Sequence, residues 1–386
     1  MIHKRYDPAD FCYVNPDPDF RLTSLERLTL TGGPELERAL LRMARQFDNF
    51  VEQSPLQRAN LEQMQEALAY YAVSGWLSES RGAFVYPGTP RYWAVTPVHG
   101  LQNGVIEDIQ FKSQHEAHLP CLREVVASVP ENRTVHVRLW RHHKPARATM
   151  IAVHGWTMGD QRVNSLAFLP GIFFRLGLDV ALIELPYHGR RRPGHPLAVD
   201  PLLTTDAVLQ AISDLRALGL YLKHTGNSCF GVVGMSLGGY LAALWASLDW
   251  LEFCVPLVPL VSLAEVEWQL LQKRPHFEEL NRMGLTYELL DHLYQFHSPL
   301  ALPTQVERER LLMIAGVGDK VVPESHPQRL WEHWGKPEIH WLNGGHMTQF
   351  QQREAFRSIN RFLQGLGLAQ KRFSRAVKPR RSKESL

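Results

Sequence analysis

Three side chains that can together turn a hydroxyl into a nucleophile occur in the order Ser236, Asp319, His346, each just past a β-like apolar run. A serine hydroxyl is a poor nucleophile at neutral pH, so such chemistry needs a base within hydrogen-bond reach and a third group that orients the base. Ser236 sits in Gly234-Met235-Ser236-Leu237-Gly238, between the apolar run Cys229 to Met235 and an apolar helical pattern from Leu237 to Leu248. A strand-turn-helix needs little side-chain bulk at Gly234 and Gly238, and it projects the serine from the sheet edge. The pentapeptide alone is more often a tight turn with no chemistry. Asp319 follows the run Leu311 to Gly316, and His346 follows the run ending at Leu342 in Asn343-Gly344-Gly345. In this arrangement His346 takes the Ser236 proton and returns it to the leaving group, while Asp319 holds the imidazole tautomer.

A tetrahedral intermediate carries negative charge and needs preorganised donors. The backbone N–H of Leu237, at the start of its helix, is one candidate. The N–H of Trp156 in His154-Gly155-Trp156-Thr157, directly after the run Thr149 to Val153, is the second. His154 itself suits holding that loop. A further loop, Glu184-Leu185-Pro186-Tyr187-His188-Gly189-Arg190-Arg191-Arg192, also follows a β-like run. Arg190, Arg191 and Arg192 are either receivers for an anionic group on the substrate or a solvated loop paired with acidic neighbours. His115 with His118, and His142 with His143, lack a further ligand in a convincing context, so no metal site is expected.

These residues must be positioned by a scaffold, and the order of elements says which. From about residue 105, β-like runs appear at Val105 to Phe111, Leu122 to Ser128, Val135 to Trp140 and Thr149 to His154. Helical and strand patterns then alternate: helix Ser165 to Leu176, strand Asp179 to Glu184, helix Asp206 to His224, strand Cys229 to Met235 and helix Leu237 to Leu248. Next come strand Phe253 to Leu260, a helical stretch 262–305, strand Leu311 to Gly316, a helix near Gln328 to Trp334, strand Glu338 to Leu342 and a last helix to about Leu366. Continuously apolar strands separated by helices imply an α/β fold with a largely parallel sheet covered on both faces. Ligands bind such sheets at the C-terminal strand ends, where all the candidate residues fall.

Before this unit, residues 1–104 read as an N-terminal extension: an irregular arm of about 30 residues, then two amphipathic helices. The first carries Leu36, Leu40, Met43, Phe47 and Phe50; the second carries Leu61, Met64, Leu68 and Tyr71. The pair must cover something, and a homodimer surface is one reading. Residues 367–386 form a basic, flexible tail. Seven Lys or Arg in 371–386 against Glu384 give the tail +6 of the chain's net +3, leaving a slightly acidic body.

The composition, 45% hydrophobic and 21% charged over 386 residues, is that of an ordinary soluble protein and excludes general disorder. The basic tail is expected to be solvated, and no nucleic acid partner is expected. With no signal-peptide pattern and no apolar run near the roughly 20 residues that span a bilayer, an intracellular, cytoplasmic location is expected. Cys12, Cys121, Cys229 and Cys254 are widely spaced, which suggests neither a disulfide framework nor a zinc site. Cys229 and Cys254 lie in strand-like runs and are expected to be buried.

From about Val126 to Leu366 the chain resembles the α/β-hydrolase superfamily. The resemblance rests on His154-Gly155-Trp156, Pro186-Tyr187-His188-Gly189, Gly234-Met235-Ser236-Leu237-Gly238-Gly239, Gly318-Asp319 with Pro323, and Gly345-His346. It implies a cofactor-free, metal-free serine hydrolase with Ser236, Asp319 and His346 as its triad, acting on a small-molecule acyl substrate. It also implies that 262–305 is a helical cap over the site. Pro-Tyr-His-Gly with trailing basic residues is closer to abhydrolase-domain proteins of poorly known substrate than to the well-described lipases. The expected reaction is cleavage of a carboxylic ester, thioester or related acyl bond. Acyl transfer by the same triad, or a non-catalytic scaffold that keeps the fold, are the alternatives.

Overall fold

The computed structural model describes residues 58–90, 93–192, 200–273, 277–343, 346 and 353–370. The N-terminal arm, the first of the two expected helices and the basic stretch 371–386 lie outside the described residues. Nine strands form one sheet: β1 (Trp93–Leu101), β2 (Gly104–Lys112), β3 (Thr134–His142), β4 (Thr149–Val153), β5 (Asp179–Ile183), β6 (Phe230–Met235), β7 (Cys254–Leu257), β8 (Leu312–Val317) and β9 (Glu338–Asn343). The helices are α1 (Arg58–Val73), α2 (Arg123–Ala127), α3 (Gln161–Phe168), α4 (Pro170–Arg175), α5 (Pro201–His224) and α6 (Leu237–Leu248), followed by α7 (Leu263–Leu271), α8 (Phe277–Arg282), α9 (Tyr287–Tyr294), α10 (Ser325–His333) and α11 (Arg353–Gly365).

The sheet order is β1-β2-β3-β5-β4-β6-β7-β8-β9. β1, β2 and β3 pair antiparallel, and β3 pairs antiparallel to β5. From β5 to β9 every pairing is parallel. Strands β4, β5 and β6 are buried at every position, as expected of central strands with helices on both faces. Side chains alternate between two cores. Ile151 and Val153 face a core shared with α1, α5, α6 and the helices of 262–305, while Met150 and Ala152 face one shared with α3, α4 and α11. The segment 262–305 is therefore rooted in the main core through Leu263, Leu271, Leu290 and Phe296.

Four sequence expectations give way to local physics. The sheet begins at Trp93, inside the stretch assigned to the N-terminal extension, because β1 is an exposed edge strand whose Pro97 and Gly100 hide its β pattern. Leu122 to Ser128 is not a strand: Pro120 opens a short 3-10 turn that runs into α2, where Val125 points to solvent. The expected helix Ser165 to Leu176 is two helices, broken at Leu169 (φ 47°) before Pro170, since the residue before a proline is disfavoured in the helical region. Strand β7 ends at Leu257, because Val258 (φ 42°) precedes Pro259 and turns the chain away.

Helix α1 forms as its spacing predicts, with Leu61, Met64 and Tyr71 buried. Tyr71 stacks on Trp76, and both rings meet Phe296. Cys254 is buried in β7 as expected, whereas Cys229 lies just ahead of β6 and is only half-buried. No helix among the described residues is long and apolar enough to cross a membrane.

Candidate active site

Ser236 links β6 to α6 in a backbone conformation rarely held by a side-chain-bearing residue, with φ 53° and ψ −114°. Strain of this kind costs about 1–3 kcal/mol and persists only where the surroundings enforce it. They do so here through backbone contacts. A Cβ on Gly234 would lie 2.0 Å from the Gly238 carbonyl oxygen, and one on Gly238 would lie 2.0 Å from that of Val153. The Ser236 N–H also donates to the Leu257 carbonyl at 2.9 Å, tying the turn to β7.

His346 and Asp319 meet Ser236 in a line. His346 Nε2 is 2.8 Å from Ser236 Oγ, and its Nδ1 is 2.6 Å from Asp319 Oδ2. Asp319 follows β8, and its side chain is buried. Its Oδ1 accepts the backbone N–H groups of Val321 and Val322, both at 2.9 Å, so the carboxylate has no rotational freedom. An acceptor at Nδ1 puts the imidazole proton there and leaves the Nε2 lone pair facing the serine. Asp319 and His346, 83 and 110 residues beyond the serine in sequence, reach it because β6, β7, β8 and β9 are neighbouring parallel strands whose C-terminal ends share one edge.

The loop after β4 lies against the serine: a Cβ on Gly155 would be 3.4 Å from both the Met235 carbonyl oxygen and Ser236 Cβ. This brings the backbone of Trp156 to the serine's side, while Leu237 is the first residue of α6, where backbone N–H groups have no intrahelical acceptor. His154 is fully buried. Its Nε2 accepts the Leu185 N–H at 3.0 Å and its Nδ1 lies 2.8 Å from the Gly155 carbonyl. Burial, assisted by nearby His188, pushes its pKa down to about 3, so it is a neutral tie between the loops after β4 and β5. The same two loops meet again where Gly159 and Gly189 touch backbone to backbone.

The three arginines behave differently from one another. Arg190 is exposed but paired: its backbone N–H and guanidinium both reach buried Glu184, the latter at 2.8 Å. Arg191 is completely buried, bonded to Asp214 at 2.9 Å and to the carbonyl oxygens of Asn132 and Glu184. The expectation that Arg191 receives an external anion is corrected, because it is shut off from solvent and paired with Asp214; Arg190 pairs with Glu184 but keeps an exposed side chain. Arg192 is half-buried, stacks 5.8 Å over the Tyr187 ring, and its Nε and Nη1 have no hydrogen-bond partner among the described residues.

Other partners went unread. Asn132 accepts the Tyr187 N–H at 2.9 Å and is held by Gln210. Asp206, Gln210 and Asp214 form a buried polar stripe on α5. Their four-residue spacing inside an otherwise apolar helix is the signal that marks them. Asp206 binds His115 at 2.9 Å and Asp179 binds His142 at 2.9 Å, so both histidines are held by carboxylates. A small, mostly apolar cavity lies beside the serine turn, lined by Trp156, Leu185, Pro186, His188, Ala207 and Leu237. His188 is buried there with its Nδ1 2.7 Å from the Pro186 carbonyl.

The geometry invites comparison with known proteins. Residues 94–268 match the family model described as alpha/beta hydrolase domain containing 18. The chain is 31% identical over 318 residues to an uncharacterized protein of Mycobacterium tuberculosis, covering 80% of this chain and 75% of that one. The chain belongs to the α/β-hydrolase superfamily. Among solved structures, this α/β-hydrolase shares its fold with acetyl xylan esterase 1 from Thermoanaerobacterium sp. JW/SL YS485. The TM-score is 0.52 at 15% identity, over 82% of this chain and 96% of that one. Acetyl xylan esterase from Paenibacillus sp. R4 gives the same TM-score and identity over 79% and 99%.

Proposed function

We propose that this α/β-hydrolase is a serine hydrolase that cleaves carboxylic esters, thioesters or related acyl bonds through an acyl-enzyme on Ser236. The reading rests on one observation, the hydrogen-bonded line from Ser236 Oγ through His346 to Asp319 at 2.8 and 2.6 Å. His346 Nε2 removes the hydroxyl proton as Oγ attacks the acyl carbon. The carbonyl oxygen becomes an oxyanion facing the N–H groups of Trp156 and Leu237. Collapse of the intermediate breaks the bond to the leaving group, which takes the proton from His346. Water, deprotonated by the same imidazole, then releases the acid and restores Ser236. Asp319 holds the imidazole in place and stabilises the imidazolium. That two proteins named acetyl xylan esterases share the fold fits an ester as the acyl donor. The test is turnover of 4-nitrophenyl acetate and butyrate by the full chain: hydrolysis that disappears in Ser236→Ala supports the reading, and hydrolysis equal in both proteins contradicts it.

A further inference from the structure

Among the described residues, the loop after β5 brings two side chains with unsatisfied buried hydrogen-bond donors, Tyr187 and Arg192, near the serine turn. Tyr187 has φ 60°, a left-handed backbone conformation, and its side chain is buried. It forms a small buried cluster with Leu203, on which Trp156 and Ala207 pack, and Trp156 and Ala207 line the cavity beside Leu237. Among the described residues the Tyr187 hydroxyl is buried without a hydrogen bond of good geometry, the Asn132 side chain being close enough to interact with it. Arg192 lies over this ring, with Nε and Nη1 buried and unpartnered. Tyr187 and Arg192 are thus linked to the serine turn through the cluster on which Trp156 packs. Leaving buried donors unsatisfied, one of them cationic, is unfavourable for the empty site, and an anionic ligand relieves it.

We propose that Arg192 and the Tyr187 hydroxyl receive a carboxylate carried by the substrate, so that the preferred acyl esters are monoanionic. The inference rests on the reading of Ser236 as the acyl nucleophile and names the substrate class of that site. The surrounding charges favour a single negative charge on the ligand. Of the loop's three arginines, Arg190 and Arg191 are neutralised by Glu184 and Asp214. The Asp206 carboxylate acts on Tyr187 at longer range, and it opposes a dianion such as a phosphate monoester. Burial lowers the proton affinity of Arg192 and raises that of Tyr187. The guanidinium keeps its charge because its ordinary value lies so far above neutrality, and the phenol stays a neutral donor.

The experiment uses the full chain carrying Ser236→Ala, titrated calorimetrically with mono-4-nitrophenyl glutarate and with neutral 4-nitrophenyl butyrate. The glutarate monoester should bind more tightly. Arg192→Gln in the same background should weaken it roughly tenfold to a hundredfold and leave the butyrate ester within twofold. Tyr187→Phe should weaken the glutarate ester alone by a smaller factor, and Arg192→Lys should restore part of the loss. Equal binding of the two esters, or equal weakening of both by Arg192→Gln, overturns the proposal. If Arg192→Gln fails to fold, Arg192→Lys and Tyr187→Phe decide by the same selectivity. Because binding is read without turnover, a wild-type protein that hydrolyses neither ester removes the nucleophile reading, while the titration still decides the carboxylate site.

Discussion

Arg191 and Asp214 form an ion pair shut off from solvent on both sides, at 2.9 Å, and it anchors the loop after β5 to the middle of α5. Removing one partner leaves an uncompensated buried charge. Asp214→Ala should therefore destabilise the protein by about 3–5 kcal/mol, whereas an apolar replacement of both partners should recover much of that loss. Denaturant unfolding of the single and double variants checks this. A single variant within about 0.5 kcal/mol of wild type would mean the pair is not holding the loop.

The glycines of the serine turn differ sharply from the last glycine of α11. Gly238→Ala puts a methyl 2.0 Å from the Val153 carbonyl oxygen, and the turn must open, so soluble protein or activity should be lost. Gly365→Ala meets nothing within 4 Å at an ordinary φ and should stabilise by about 0.4–1 kcal/mol. Thermal melts of the two variants read the contrast directly.

Stability should fall in mild acid. Burial lowers the pKa of His154 to about 3, His188 to about 4 and His297 to about 3, from an ordinary 6.5. As pH drops below about 6.5 the unfolded chain binds protons that the folded chain refuses, so unfolding is favoured. The loss continues until the folded state itself titrates near pH 3 to 4. At pH 5 unfolding should take up about three protons at these sites. Denaturant titrations between pH 5 and 8 measure the slope, and stability independent of pH below 6.5 would contradict the neutral, buried assignment.

Removing triad members should not cost equally. Ser236→Ala and His346→Ala should each lower kcat by roughly 10⁴ to 10⁶, and Asp319→Ala by less, because the groups act as a unit. Steady-state kinetics with 4-nitrophenyl butyrate distinguish this from independent, additive contributions.

Much of this site was legible in the sequence because its parts are local. Ser236, Asp319 and His346 each sit in a short motif just past a strand, and a parallel sheet collects strand ends on one edge. The Gly-x-Ser-x-Gly spacing is a direct record of the backbone contacts at Gly234 and Gly238. What could not be read was long-range pairing. Whether an arginine meets solvent or a buried carboxylate depends on Asp214 and Glu184, placed by folding, so Arg190, Arg191 and Arg192 looked alike. Edge strand β1 was hidden for another reason: with both faces exposed it has no apolar alternation to display. The run Leu122 to Ser128 misled because a few β-branched residues beside a proline read the same in a strand and in a short helix.

The central claim is that Ser236 is activated for attack by His346 and Asp319. Labelling of the folded full chain with a fluorophosphonate, followed by mass spectrometry of its peptides, measures this most directly. The account predicts a single adduct on Ser236, absent in Ser236→Ala and formed far more slowly in His346→Ala. A folded wild-type protein that forms no adduct, or forms it on another residue, would contradict it.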